Sequence, residues 1–198
     1  KTAYMARGEN SPTPQSKVNK SEPEKYPTVA VLTISDRSAH GLRKDLSGPA
    51  VVQSIHRLTG WNCTKTDIVS DDVSKISAKL SRWADEDKIN LIITTGGTGM
   101  SIRDVTPEAT LAVIDKEAPG LMEAVRAASL SITPYAMLSR AIAGIRGRSL
   151  IINLPGNPKA VDEALTVLAT ALPHAVDLIS DYHTSSQNHS RKPDIDPE

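Results

Sequence analysis

A chain of 198 residues suits one domain with a full hydrophobic core and flanking segments. Lys plus Arg and Asp plus Glu both number 23, so the formal net charge is zero, and the aromatics are two Trp, four Tyr and no Phe. That balance argues against nucleic acid as a partner, against a membrane-binding surface and against an aromatic platform for bases, while leaving room for a local basic pocket.

Residues 1–26 are rich in Ser, Pro, Lys, Glu and Asn and poor in aliphatics, so burial cannot offset their ordering entropy and a disordered linker is expected. Residues 182–198 read the same way, with His183 and His189 as solvated tail residues, which leaves 27–181 as the folded domain. A first residue of Lys rather than Met leads us to expect a piece of a longer polypeptide. No apolar stretch is long enough to span a bilayer and no signal-peptide pattern opens the chain, so a cytoplasmic location is expected. The single Cys63 reads as a buried structural thiol in a reducing compartment.

The β-branched run 28–34 (TVAVLTI) predicts a strand ending in Ser35-Asp36-Arg37, followed by a polar loop with Gly41. Ser47 or Gly48 then caps a helix with Pro49 in its first turn and Val51, Ile55 and Leu58 on one face. Residues 62–69 make a weaker strand, and Ser70-Asp71-Asp72 starts a helix whose core stripe is Val73, Ile76, Leu80, Trp83 and Ala84. Ile89 to Thr95 is a buried strand that runs into Gly96, Gly97 and Gly99. Thr106 as cap and Pro107 as first residue start a helix to about Lys116, with Leu111 and Ile114 inward. After Pro119-Gly120 comes a helix over 121–131, then a break at Thr133-Pro134 and a short helix carrying Met137, Leu138, Ser139 and Arg140. Residues 144–147 form a turn or short strand, and Ser149 to Leu154 a last buried strand. Asn157 and Pro158 then open one long helix through Ile179, kinked at Pro173.

Strands alternating with helices give an α/β class with a mainly parallel sheet covered on both faces. In such a sheet the carboxyl ends of the strands share one edge, so Ser35-Asp36, Ser70-Asp71-Asp72, the Gly96–Asp104 loop and Asn153 to Pro158 meet there. Gly96-Gly97-Thr98-Gly99 is neither a P-loop nor the dinucleotide fingerprint; it is either a cradle for an anion or a plain chain reversal. Asp36, Asp71 and Asp104 either cap helices or hold a divalent cation between phosphates, and oxygen ligands without paired His or Cys point to magnesium.

Five ordered motifs go further: TISDRS at 33–38, DLSGP at 45–49, TTGGTGMSIRDVTPEAT at 94–110, SITPYAMLSRAIAGIRG at 131–147 and LIINLPGNPKAV at 150–161. Together they resemble the molybdopterin-binding family, and within it the molybdopterin adenylyltransferases: the bacterial enzymes and the G domains of plant molybdenum-cofactor proteins and gephyrin. The resemblance covers residues 27–180. It implies a three-layer α/β/α sandwich assembled as a homotrimer. It also implies magnesium-dependent transfer of AMP from ATP to the terminal phosphate of molybdopterin, with release of pyrophosphate. The product would pass to a molybdenum-insertion domain on the same or a partner chain. Asp71 and Asp104 match the family's essential aspartates for metal and nucleotide, and Thr98 a residue required for turnover. Ser139 and Ser129 match positions tied to pterin binding, and Asn153, Pro155, Gly156 and Asn157 the second ligand loop. Ser35, Asp36, Gly96, Gly97, Gly99 and Arg140 complete the expected ligand-binding set. Arg103, Arg140 and Arg146 are candidates for cancelling phosphate charge, Arg146 being better read as a surface or subunit-contact residue. His56 and His174 read as structural. The alternative is a non-catalytic molybdopterin-binding or scaffold module; the presence of both aspartates and the Thr98 hydroxyl favours the enzyme.

Overall fold

A computed structural model describes residues 26–180. Except for Tyr26, the expected disordered segments, including His183 and His189, lie outside the described residues. The elements are β1 (Val29–Ile34), α1 (Asp36–Ala39), α2 (Ser47–Thr59), β2 (Cys63–Val69), α3 (Val73–Asp85), β3 (Leu91–Thr95) and α4 (Thr106–Leu111). They continue with β4 (Lys116–Glu117), α5 (Pro119–Leu130), a 3₁₀ helix (Pro134–Leu138), β5 (Ala143–Arg146), β6 (Ser149–Leu154), α6 (Pro158–Leu168) and α7 (Leu172–Ser180).

β1, β3 and β6 are buried at every position, because each carries apolar or β-branched side chains on both faces. They form the middle of a six-stranded sheet ordered β2-β1-β3-β6-β5-β4, with β2, β1, β3 and β6 parallel and β5 and β4 antiparallel at one edge. Alternate residues serve opposite layers. Val31, Ile93 and Ile152 pack under α2, α5, α6 and α7, whereas Leu32, Ile92 and Ile151 pack under α3 and α4. Each such side chain contributes roughly 1.5–3 kcal/mol by leaving water. The architecture is therefore the expected three-layer α/β/α sandwich. Among the described residues no helix is long and apolar enough to cross a membrane.

Local departures from expectation have identifiable causes. Asp45, not Ser47 or Gly48, caps α2: its Oδ1 accepts the N–H groups of Ser47 and Gly48, both at 3.0 Å. A one-turn α1, capped by the Ser35 hydroxyl, occupies the start of the expected polar loop. α4 stops at Leu111, which is exposed rather than inward, because the Asp115 N–H is taken by the Ile145 carbonyl at 2.7 Å and the chain turns into β4. The expected long C-terminal helix is two helices, broken after Leu168, and Pro173 stands in the first turn of α7, where its missing N–H costs nothing. Val73 is exposed, and Cys63 on the edge strand β2 is only half-buried. Burial still pushes the Cys63 thiol pKa up.

Candidate active site

The glycine turn after β3 is shaped by contacts a side chain would destroy. Gly96 and Gly97 both have positive φ, +102° and +64°. A Cβ on Gly96 would strike the Ile34 carbonyl, and one on Gly97 the Thr106 hydroxyl. Three hydrogen bonds hold the turn: Gly96 N–H to Leu154 O (3.0 Å), Thr106 N–H to Gly97 O (3.0 Å) and Thr106 Oγ1 to Gly96 O (2.8 Å). Thr106 thus spends its hydroxyl on the turn and does not cap α4 as expected. From β6, Pro155 O accepts the Thr95 hydroxyl at 2.7 Å, and Gly156 lies against Gly96. Asn157 caps α6 through the Lys159 N–H at 2.9 Å.

The acids lie against this turn. Asp36 and Asp71 exchange backbone-to-carboxylate bonds, Asp36 N–H to Asp71 Oδ2 at 2.8 Å and Asp71 N–H to Asp36 Oδ1 at 3.1 Å. Asp36 also pairs with the Arg103 guanidinium. Asp71 Oδ1 lies 3.3 Å from where a Gly97 Cβ would be, and Asp104 Oδ2 lies 2.9 Å from the same point on Gly99. The two acids therefore share a glycine turn although far apart in sequence. Burial pushes the Asp71 carboxyl above its ordinary pKa; the Asp36 and Asp104 charges add to this, against the Asp36 N–H and Arg103. Asp36 is desolvated too, but the bond from Arg103, the Asp71 N–H and the Arg103 and His40 charges hold it below its ordinary value.

Beside the turn, toward α2 and α6, is a cleft of about 140 Å³ lined by Ser35, Ser38, Arg43, Lys44, Ser47 and Gly96 among others. Arg43 and Lys44 border it together with Asp45, whose carboxylate takes the first N–H groups of α2, and Pro158 at the start of α6 lies on its rim. A second cleft, about 220 Å³ and mostly apolar, is bordered by Ser129, Ser139, Tyr135, Val125 and Pro155.

Comparison with known proteins decides the family. A family model described as a probable molybdopterin binding domain matches residues 30–174. The chain belongs to this family. It is 45% identical over 152 residues to the molybdopterin adenylyltransferase of Helicobacter pylori strain J99, covering 76% of this chain and 86% of the relative. It is 41% identical over 195 residues to the gephyrin of Dictyostelium discoideum, covering 92% of this chain but only 27% of the relative, so it spans about a quarter of that protein. The crystal structure of the molybdopterin biosynthesis enzyme MoaB from Thermus thermophilus superposes with a TM-score of 0.75 at 41% identity, covering 79% of this chain and 98% of that one.

Within this molybdopterin-binding domain, most predicted site residues gather at the carboxyl edge of the sheet, but two do other work. Asn153 is fully buried below the edge; its amide donates to Thr94 Oγ1 (3.0 Å) and Thr110 Oγ1 (2.9 Å), and its Oδ1 accepts from the Ile142 N–H (3.4 Å). It ties β6 to β3 and α4 and has no face toward a ligand. Arg140 is likewise engaged by protein: Nε to Gly99 O at 2.7 Å, Nη2 to Asp104 O at 2.6 Å, and an ion pair with Glu108. Most of its donors are thus taken by the protein. Arg146 lies elsewhere, bidentate to Asp85 and bonded to Val113 O. Thr98 is 6% exposed, with its carbonyl accepting the Arg140 N–H at 2.9 Å. His56 and His174 sit exposed on α2 and α7.

Among the described residues no group of three His, Cys, Asp or Glu side chains is arranged to hold a metal ion. Asp36 is used by Asp71 and Arg103, so the expected acid trio contracts to Asp71 and Asp104. Two carboxylates nonetheless fit magnesium, which takes one or two protein oxygens and completes its shell with water and phosphate. Burial of the Asp71 carboxylate, with the Asp36 and Asp104 charges adding to it, raises its pKa, a cost that a bound cation would offset. Arg43 and Lys44 were not among the expected site residues. Their signal was a pair of cations directly ahead of a capped helix at a strand end.

Proposed function

We propose that this domain transfers AMP from ATP to the terminal phosphate of molybdopterin and releases pyrophosphate, a step of molybdenum-cofactor biosynthesis. The observation that carries this reading is the meeting of Asp71 and Asp104 on one glycine turn, with a basic phosphate-sized cleft beside it. The similarity to proteins named molybdopterin adenylyltransferase supports it.

The reaction needs no protein nucleophile. A terminal phosphate oxygen of molybdopterin bonds to the α-phosphorus of ATP while the bond from that phosphorus to the bridging oxygen breaks, and pyrophosphate departs with the electron pair. The protein's part is positioning and charge cancellation. Arg43 and Lys44 bind phosphate oxygens in the cleft beside the turn. Asp71 and Asp104 would hold magnesium, which when bound neutralises triphosphate charge and makes the α-phosphorus more electrophilic. Asp36 orients Asp71 through their reciprocal bonds, and Arg103 balances the cluster's charge. Ser129, Ser139 and the apolar wall around them accommodate the flat pterin.

Exposed apolar side chains support self-association. Leu130, Ile132, Tyr135, Met137 and Leu138 are 46–78% exposed within nine residues. We read this patch as a contact of the proposed homotrimer, which light scattering of wild type and Met137→Asp tests. A molybdenum-insertion domain, on this chain or another, would receive the product.

The deciding experiment incubates the purified domain with molybdopterin and ATP, with and without magnesium, and follows adenylylated pterin and pyrophosphate. Magnesium-dependent formation of both is expected. Molybdopterin binding with no pyrophosphate release would replace the enzyme by a module that only holds the pterin.

A further inference from the structure

We propose that Arg140, with Glu108 as its counter-charge, is the positioning residue that pre-forms the loop between Thr98 and Asp104. Its functional consequence rests on the adenylyl-transfer reading above.

The loop has little else to hold it. Met100 is 68% and Ile102 96% exposed, so burial contributes almost nothing to its shape. Inside the loop are only short-range bonds: Asp104 N–H to Ser101 O (2.9 Å), Ser101 N–H to Asp104 Oδ2 (2.9 Å) and Arg103 N–H to Ser101 Oγ (3.3 Å). These give the loop a local shape but no fixed position. Among the described residues, the other tether outward is Arg103 to Asp36, through an arginine side chain that is 64% exposed.

Arg140 meets the loop at three carbonyls. Its backbone N–H donates to Thr98 O at 2.9 Å, its Nε to Gly99 O at 2.7 Å and its Nη2 to Asp104 O at 2.6 Å. The same guanidinium pairs with Glu108 on α4, with Nη2 to Oε2 at 3.4 Å as its second contact. One planar cation thus bridges both ends of the loop and fastens them to a helix. Lysine has no such fork of donors and cannot reproduce the geometry. Ser139, the preceding residue, borders the apolar cleft, so the wall of that cleft and the loop bearing Asp104 share an anchor.

Two measurements test this, on the whole chain in wild type, Arg140→Ala, Arg140→Lys and Glu108→Gln. Hydrogen–deuterium exchange of the peptide spanning 98–104 reads the loop without any substrate. Steady-state kinetics reads the consequence. With the fold retained by circular dichroism, Arg140→Ala should speed exchange at Ser101 and Asp104. It should also lower kcat about 100-fold while the KM for molybdopterin stays within about threefold, since a displaced catalytic group costs about that much. Arg140→Lys should not restore turnover. Glu108→Gln should lower kcat roughly tenfold, because it removes the charge but keeps an acceptor. Should Arg140→Ala not fold, Glu108→Gln decides by the same two readouts. Unchanged loop exchange in a folded variant overturns the proposal. So does a raised KM for ATP with kcat intact, which would make Arg140 a phosphate ligand. A wild type that releases no pyrophosphate refutes adenylyl transfer but leaves the exchange result standing as a test of the clamp.

Discussion

Replacing Asn153 by Ala separates a structural asparagine from a ligand-binding one. The side chain is fully buried and makes two well-formed donor bonds, to Thr94 and Thr110, plus a longer one from the Ile142 N–H at 3.4 Å. Each lost bond of this kind costs about 1 kcal/mol, and more where the abandoned partner finds no substitute. Loss of the amide group also leaves a small cavity worth about another 1 kcal/mol. The sum for Asn153→Ala is roughly 3–4 kcal/mol, or on the order of 6–16 °C in melting temperature for a domain of this size. Thr94→Val and Thr110→Val each remove one of the two bonds and should cost about 1–2 kcal/mol. Urea denaturation of the three single variants and the Thr94→Val/Asn153→Ala pair measures this, and the pair should be less than additive because the lost bond is shared. A loss below about 1 kcal/mol for Asn153→Ala, accompanied by weakened molybdopterin binding, would refute the reasoning and return Asn153 to the ligand loop.

Three further outcomes are expected. The folded-state pKa of Asp71 lies above its ordinary 3.8, so the ionised carboxyl disfavours the fold at neutral pH and protonation removes that cost as the pH falls through the raised value. Asp71→Asn, which keeps an acceptor for the Asp36 N–H, should therefore raise the melting temperature at pH 7 and lose the advantage below pH 3.8; a gain that persists in acid would contradict this. Gly96→Ala, with φ +102° and a Cβ against the Ile34 carbonyl, should cost at least about 3 kcal/mol in urea denaturation. Gly60→Ala, with φ +75° but open space, should cost about 1 kcal/mol, and equal losses would mean that the turn tolerates a side chain. Asp104→Asn should lower pyrophosphate release about 100-fold with molybdopterin binding by fluorescence nearly unchanged, whereas equal loss of both would remove Asp104 from the proposed metal role.

The layers were legible because a parallel strand covered on both faces is a near-continuous run of apolar and β-branched residues, which singles out 29–34, 91–95 and 149–154. The acids of the site were legible for a related reason: once the strands are parallel, their polar ends share an edge. What local pattern could not carry was the use to which a polar residue is put by a distant partner. Asn153 reads in sequence like the first residue of the ligand loop, yet its partners, Thr94 and Thr110, are 59 and 43 positions away and lie beneath that loop. Arg140 reads as a cation beside a phosphate site, yet it is consumed by carbonyls 41 and 36 positions earlier. The early stop of α4 has the same origin, since nothing between Thr106 and Lys116 forbids a longer helix. The competing acceptor, Ile145 O, belongs to a strand made thirty residues later, and pairing β4 with β5 closes the sheet edge that a longer helix would leave open. A sequence therefore reveals which residues reach the rim of such a sheet more readily than which of them face outward to a substrate. At this rim the division follows hydrogen-bond saturation: the donors of Asn153 and Arg140 go to the protein, whereas burial and the Asp36 and Asp104 charges hold the Asp71 carboxyl above its ordinary pKa, a cost that a cation from outside would offset.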